Sequence, residues 1–315
     1  MFFIALTLFL TNTTTYNAET KKVILGGESI GLQLSTGVYV TGKFDVNGVS
    51  PWEKTGVENG DIIVSLNNIE VNSISEISNI VNKAKPNSTV PIIILRDDKK
   101  INSEINVYQY NGKNTIGLYV KDMILGVGTL TYIDPTLNQY GALGHAMTEL
   151  AINSGVITTS SVNSIRKSLP GIAGEKRATI LNRTLGTINI NSDFGVFGKY
   201  NAPSGDLIEV GEAADVVLGP AQIVTVLNGT KKEYFDVMVV EAKLQSDEEI
   251  KGIKIKIIDD ELIAKTGGII QGMSGSPIVQ NGKLIGAVSH VIVDNPLFGY
   301  GVYAEWMLKT QRLLK

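Results

Sequence analysis

The 315-residue chain contains no cysteine and only two histidines, His145 and His290. Without cysteine there are no disulfides, no thiol nucleophile, no thiolate zinc site and no iron–sulfur cluster. With two histidines besides, a zinc site is hard to assemble, and no metal or other cofactor is expected. Charge of one sign is also scarce, the balance being 28 basic against 31 acidic residues. A net charge of −3 leaves no basic stripe of the kind that binds nucleic acid. Long apolar runs are missing too. The longest candidate, Phe2 to Leu10, is shorter than the roughly 20 residues of a membrane span. Followed by the polar stretch Thr11 to Lys22, it reads as a signal- or anchor-like segment over 1–22, which predicts export and proximity to a membrane.

Glycine is what the chain has in abundance, at 33 residues. Asn-Gly pairs recur at 111–112, 228–229 and 281–282 and supply the positive φ angles of two-residue hairpins. Residues 23–110 read as one small unit of strands, one helix and further strands. The helix is expected over Ser75 to Lys85, with Ile77, Ile80, Val81 and Ala84 on one face and Ser75 as its N-cap. From residue 111 to 315 short β segments dominate, which predicts a barrel pair or a sandwich closed by a helix over Tyr303 to Leu314.

One segment carries chemistry: Gly272-Met273-Ser274-Gly275-Ser276-Pro277, followed by a hairpin through Asn281-Gly282. Small residues around a serine let the backbone turn sharply and point successive N–H groups into one site. A serine hydroxyl needs both a base and such donors to attack a carbonyl. Ser274 is the expected nucleophile and Ser276 its rival; Gly272 and Ser274 are the expected oxyanion donors. His145, in Tyr140-Gly-Ala-Leu-Gly-His, is the preferred base, with His290 as the alternative. Asp259, Asp260 and Asp294 are the carboxylates near enough in sequence to orient it, and spacing does not separate the first two.

These residues resemble a known family. Gly-Gly-Ile-Ile-Gln-Gly-Met-Ser-Gly-Ser-Pro-Ile-Val from Gly267, Gly286-Ala-Val-Ser-His, Gly117-Leu-Tyr-Val-Lys-Asp and Gly126-Val-Gly-Thr-Leu-Thr are similar to the stage IV sporulation protein B family. The resemblance implies a mainly β chain, an N-terminal PDZ domain followed by a trypsin-like double β-barrel serine peptidase. It implies a triad of His145, Asp259 and Ser274, although Glu149 stands where the family has an aspartate. It also implies a peptide-binding loop at Ile30, Gly31 and Leu32. The partners implied are regulatory membrane-associated proteins, cleaved in the space between the forespore membranes to trigger sigma-factor processing, and the chain's own N-terminal segment. The alternative function is a non-catalytic PDZ adaptor whose protease-like domain only binds partners.

Overall fold

The computed structural model describes residues 21–97, 99–148, 154–245 and 247–314. The apolar N-terminal run and Glu149 lie outside the described residues. In chain order the strands begin with β1 (Lys22–Leu25), β2 (Ser29–Lys43), β3 (Ile62–Leu66) and β4 (Ile69–Glu70). Helix α1 (Ile74–Lys83) precedes β5 (Ser88–Arg96), β6 (Lys99–Tyr110), β7 (Lys113–Thr115) and β8 (Leu118–Asp134). There follow β9 (Gln139–Ala142), β10 (Gly155–Arg166), β11 (Glu175–Ile188), β12 (Ile190–Ser192), β13 (Gly195–Lys199) and β14 (Leu207–Val210). The last part holds β15 (Gly219–Val226), β16 (Lys232–Ala242), β17 (Ile253–Ile257), α2 (Asp260–Thr266), β18 (Pro277–Gln280), β19 (Lys283–Val291), β20 (Phe298–Tyr303) and α3 (Ala304–Gln311).

Pairing closes two barrels. In the first, β11 pairs with β10, β10 with β2, β2 with β8, β8 with β9 and β9 with β13. The Gly186–Tyr200 bridge joins the β13 end back to β11. In the second, β15, β16, β17, β20, β19 and β18 pair in that cyclic order, with β18 returning to β15. Closure leaves neither barrel with an open edge. The alternation of strand residues fills each interior. Ile30, Leu32, Leu34, Leu130, Leu143 and Ile157 form one core, and Ile223, Val237, Ile255, Ile278, Val288 and Val302 another.

The small unit lies between two strands, β2 and β8, that the first barrel also uses. β2 and β8 leave the barrel together as a two-stranded ribbon, and the residues between them build the unit. Its own core runs from Val38 to Leu118 and takes in Ile63, Ile77, Ile80, Val81, Ile92 and Ile105. The boundary expected at residue 110 falls at the end of β6, while the core of the small unit runs on to Leu118. Val23 to Leu34 lie on the sequence side of the small unit but are buried with the barrels, because β1 and the first half of β2 supply their strands.

The helix is found one to two residues earlier than expected. Ser73, not Ser75, is its N-cap, and Glu76 completes a capping box by returning its carboxylate to the Ser73 N–H at 3.2 Å. The face expected to be apolar is the buried one, at Ile77, Ile80 and Val81. Asn111-Gly112 and Asn281-Gly282 both adopt two successive positive φ angles, 48° and 76°, then 51° and 75°.

A chain begun at residue 111 would lack β1 and β2 and leave β8 and β10 with bare edges. Such a fragment is expected to aggregate and to lose cooperative urea unfolding, whereas a chain begun at Lys21 keeps it.

Candidate active site

The Ser274 loop lies between α2 and β18, in the second barrel, and is fixed by the first. Met273 is fully buried and roots the loop in the core. Gly272 and Gly275 take φ of 91° and 89°, a region that strains any residue with a Cβ. Space also forbids a side chain at 275, where a Cβ would sit 2.0 Å from the Thr129 carbonyl oxygen. Two buried threonines of β8 hold the loop's carbonyls. Thr129 Oγ1 donates to Gly272 O and Thr131 Oγ1 to Gly275 O, each at 2.8 Å, and the Thr129 N–H donates to Ser274 O at 2.9 Å.

With three carbonyls turned toward β8, the N–H groups point elsewhere. Met273 and Ser276 spend theirs within the loop, and the Gly275 N–H goes to Val288 O at 2.7 Å. The N–H groups of Gly272 and Ser274 meet no acceptor among the described residues. Two unspent, neighbouring donors are what an oxyanion requires.

Ser274 and His145 line one cleft of about 280 Å³, together with Leu32, Gly126, Met147 and Gln271. The chain reaches His145 from β9 through two successive left-handed residues, Leu143 at φ 68° and Gly144 at φ 67°. The ring Nδ1 lies 2.7 Å from the Ala146 carbonyl, which can only accept. Nδ1 therefore carries the proton and Nε2 keeps its lone pair. Burial lowers the pKa of His145, and the Ala146 bond opposes that only in part. The imidazole is neutral, the form a base needs. The Ser274 hydroxyl donates to Ser289 O at 3.2 Å and must rotate to reach a base.

The rivals are placed differently. Ser276 Oγ is fully buried and has no partner among the described residues. His290 lies 5.4 Å from His145, ring centre to ring centre, and its Nδ1 meets Ser289 Oγ at 3.0 Å. Burial, then the neighbouring His145 and Lys251, push its pKa down to about 4.

Two expected features are not where the resemblance puts them. Asp259 is the N-cap of α2. Its Oδ1 accepts from the Leu262 N–H at 2.8 Å and its Oδ2 from the Asp236 N–H at 3.3 Å. Both oxygens are thus spent on backbone, and the group beside His145 Nδ1 is a carbonyl. Asp260 and Asp294 are exposed. Ile30, Gly31 and Leu32 do not form a peptide-binding loop either. They lie in mid-strand, paired to Gly128, Val127 and Gly126 on one side and to Thr159, Thr158 and Ile157 on the other. No backbone donor is left over there for a carboxylate.

One residue escapes sequence reasoning altogether. Lys176 sits in Glu175-Lys176-Arg177, which reads as a solvated charge run, yet it is buried. Its stem lies under Gly272, where a Cβ would meet the lysine chain at 3.1 to 3.3 Å, and its N–H donates to Gln271 O at 2.9 Å. Nζ bonds Thr225 Oγ1 at 2.6 Å. Desolvation pulls its pKa down from 10.5 to about 7.

A lowered lysine pKa means that the unfolded chain binds more protons between pH about 7 and 10.5, so folding gains stability as pH rises through that window. The stability gained by Lys176→Met is therefore expected to be largest below pH 7 and to shrink above it, read from urea midpoints. For Asp259, loss of the cap in Asp259→Ala should cost about 1 kcal/mol of stability, most of it recovered in Asp259→Asn. A loss of activity in Asp259→Asn with stability intact would return this carboxylate to the catalytic apparatus.

Comparison with known proteins agrees with the two-part fold. The PDZ domain family model matches residues 17–107. Over 86 residues the chain is 38% identical to the serine protease Do-like HtrA of Bacillus subtilis, covering 27% of this chain and 18% of that protein. Over 70 residues it is 30% identical to the serine endoprotease DegS of Salmonella typhimurium, covering 22% and 20%. The matched stretch thus spans about a fifth of these curated relatives. Among solved structures, the active form of the Rv3671c protease from M. tuberculosis aligns over 59% of this chain and 72% of its own, at 16% identity and a TM-score of 0.35. The PDZ domain of the SdrC-like protein from Listeria monocytogenes aligns over 27% and 88%, at 22% identity and a TM-score of 0.23. The SpoIVB peptidase S55 model matches residues 112–308, well over half of the chain and the whole of the Ser274 cleft apart from Leu32, and the chain belongs to that family of serine peptidases.

Proposed function

We propose that the chain is a serine endopeptidase in which Ser274 is the nucleophile and His145 the general base. The observation that carries this is the pair of unspent N–H groups at Gly272 and Ser274, in the cleft that His145 also lines. In the reaction, the Ser274 hydroxyl turns from Ser289 O toward His145 Nε2, which takes its proton as Oγ attacks the scissile carbonyl. The carbonyl oxygen becomes an anion held by the two N–H groups. His145 then returns its proton to the leaving amine, and water repeats the sequence on the acyl-enzyme. Throughout, the Ala146 carbonyl keeps the imidazole in the required tautomer and steadies it when charged.

The substrates proposed are regulatory membrane-associated proteins cleaved during endospore formation, with the consequence of sigma-factor processing. The chain's own N-terminal segment is a further substrate. The location proposed is the space between the forespore membranes, reached by export. Membership of the S55 family supports the first, and the apolar run Phe2 to Leu10 supports the last.

A fluorophosphonate probe should label the wild type at Ser274 and leave Ser274→Ala untouched. Peptide cleavage should fall by about 10⁶-fold in Ser274→Ala, and comparably in His145→Ala, because such residues act as a unit. Because burial lowers the His145 pKa, the acid limb of kcat/KM should lie below the ordinary histidine value. Undiminished cleavage in Ser274→Ala would overturn the assignment.

A further inference from the structure

The Gly272 N–H is one of the two donors assigned to the oxyanion, yet nothing in its own residue fixes where it points. Glycine takes φ angles of either sign at little cost, so the Gln271–Gly272 peptide can turn over without a steric penalty at position 272. The peptide unit is planar and trans, so its C=O and N–H point in opposite directions. Turned over, it would put the Gln271 carbonyl where the oxyanion forms. Whatever holds that carbonyl therefore aims the Gly272 N–H.

The holder is the start of β11, a strand of the first barrel. Glu175 bridges Gln271 in parallel register. The Gln271 N–H donates to Gly174 O and the Lys176 N–H to Gln271 O, both at 2.9 Å. Lys176 is in turn held from the far end of its buried side chain, where Nζ donates to Thr225 Oγ1 of β15 at 2.6 Å. Between those two ends the lysine Cβ, Cγ and Cδ lie 3.1, 3.3 and 3.2 Å from the place a Gly272 Cβ would take. The stem thus fills the space that the missing side chain leaves at Gly272. Among the described residues no carboxylate pairs with Nζ, and burying an amine without a counter-charge costs stability. Stability alone does not account for a lysine at this position.

We propose that Lys176 is a positioning residue for the peptidase reaction. Its side chain ties β11 to the second barrel and packs under Gly272, which keeps the Gln271–Gly272 peptide turned with the Gly272 N–H toward the cleft. The inference rests on the assignment of that N–H to the oxyanion. Losing an oxyanion donor outright costs about 10²- to 10³-fold in kcat, so a donor misaimed in most molecules costs at least about tenfold.

The test measures two rates on the full chain, labelling of Ser274 by a fluorophosphonate probe and hydrolysis of p-nitrophenyl acetate. In Lys176→Ala the labelling rate and kcat should both fall by at least about tenfold, while KM changes by less than about twofold. Lys176→Met restores the stem without the amine and should bring both rates back to within about threefold of the wild type. Urea midpoints establish that each variant is folded under the assay conditions. Should the alanine variant fail to fold, Lys176→Val takes its place, since it suits a buried strand and still lacks the lower stem. Wild-type rates in a folded Lys176→Ala or Lys176→Val chain would overturn the proposal, as would a methionine variant as slow as either. A wild type that the probe does not label at Ser274 is a separate result, which removes the catalytic assignment first and this inference with it.

Discussion

Thr129 and Thr131 of β8 take the carbonyls of Gly272, Ser274 and Gly275, and much else in the molecule follows from that attachment. A loop whose carbonyls all face one way presents its N–H groups the other way, and two of those remain unspent. The attachment joins the two barrels, since β8 belongs to the first and the loop to the second. It also explains why position 275 must be glycine, because the Thr129 carbonyl comes too close for any Cβ. Buried hydroxyl-to-carbonyl bonds of this kind are costly to leave unmade, which makes the clamp rigid.

β8 itself does three jobs along its 17 residues. Its first part pairs with the second half of β2, its middle lines the cleft, and its end holds the Ser274 loop. The position of the small domain between β2 and β8 is what makes this continuity possible. A domain that preceded the barrel and was joined to it by a linker would share no strand with the cleft.

The charges near the site are managed by burial more than by pairing. His145 and His290 both sit below their usual pKa because desolvation disfavours the imidazolium. Lys176 follows the same rule beneath Gly272, with a threonine hydroxyl as its partner where an ion pair would be expected. The His145 ring is held at Nδ1 by the Ala146 carbonyl. That leaves Asp259 to a different task, the start of α2, where its two oxygens satisfy backbone donors.

The sequence by itself determined the local features. The Gly-x-Ser-Gly-Ser-Pro turn, the Asn-Gly hairpins and the apolar face of α1 all depend on neighbours within a few residues. Local sterics and side-chain chemistry therefore specify them. Only the tertiary structure decided the rest. It showed that the strand from Ser29 belongs to two domains, because β pairing over nearly 100 residues leaves no local mark. It separated a capping aspartate from an orienting one, since both can end a strand before a helix. And it turned a lysine in an apparent surface charge run inward, because burial depends on what the fold packs above it.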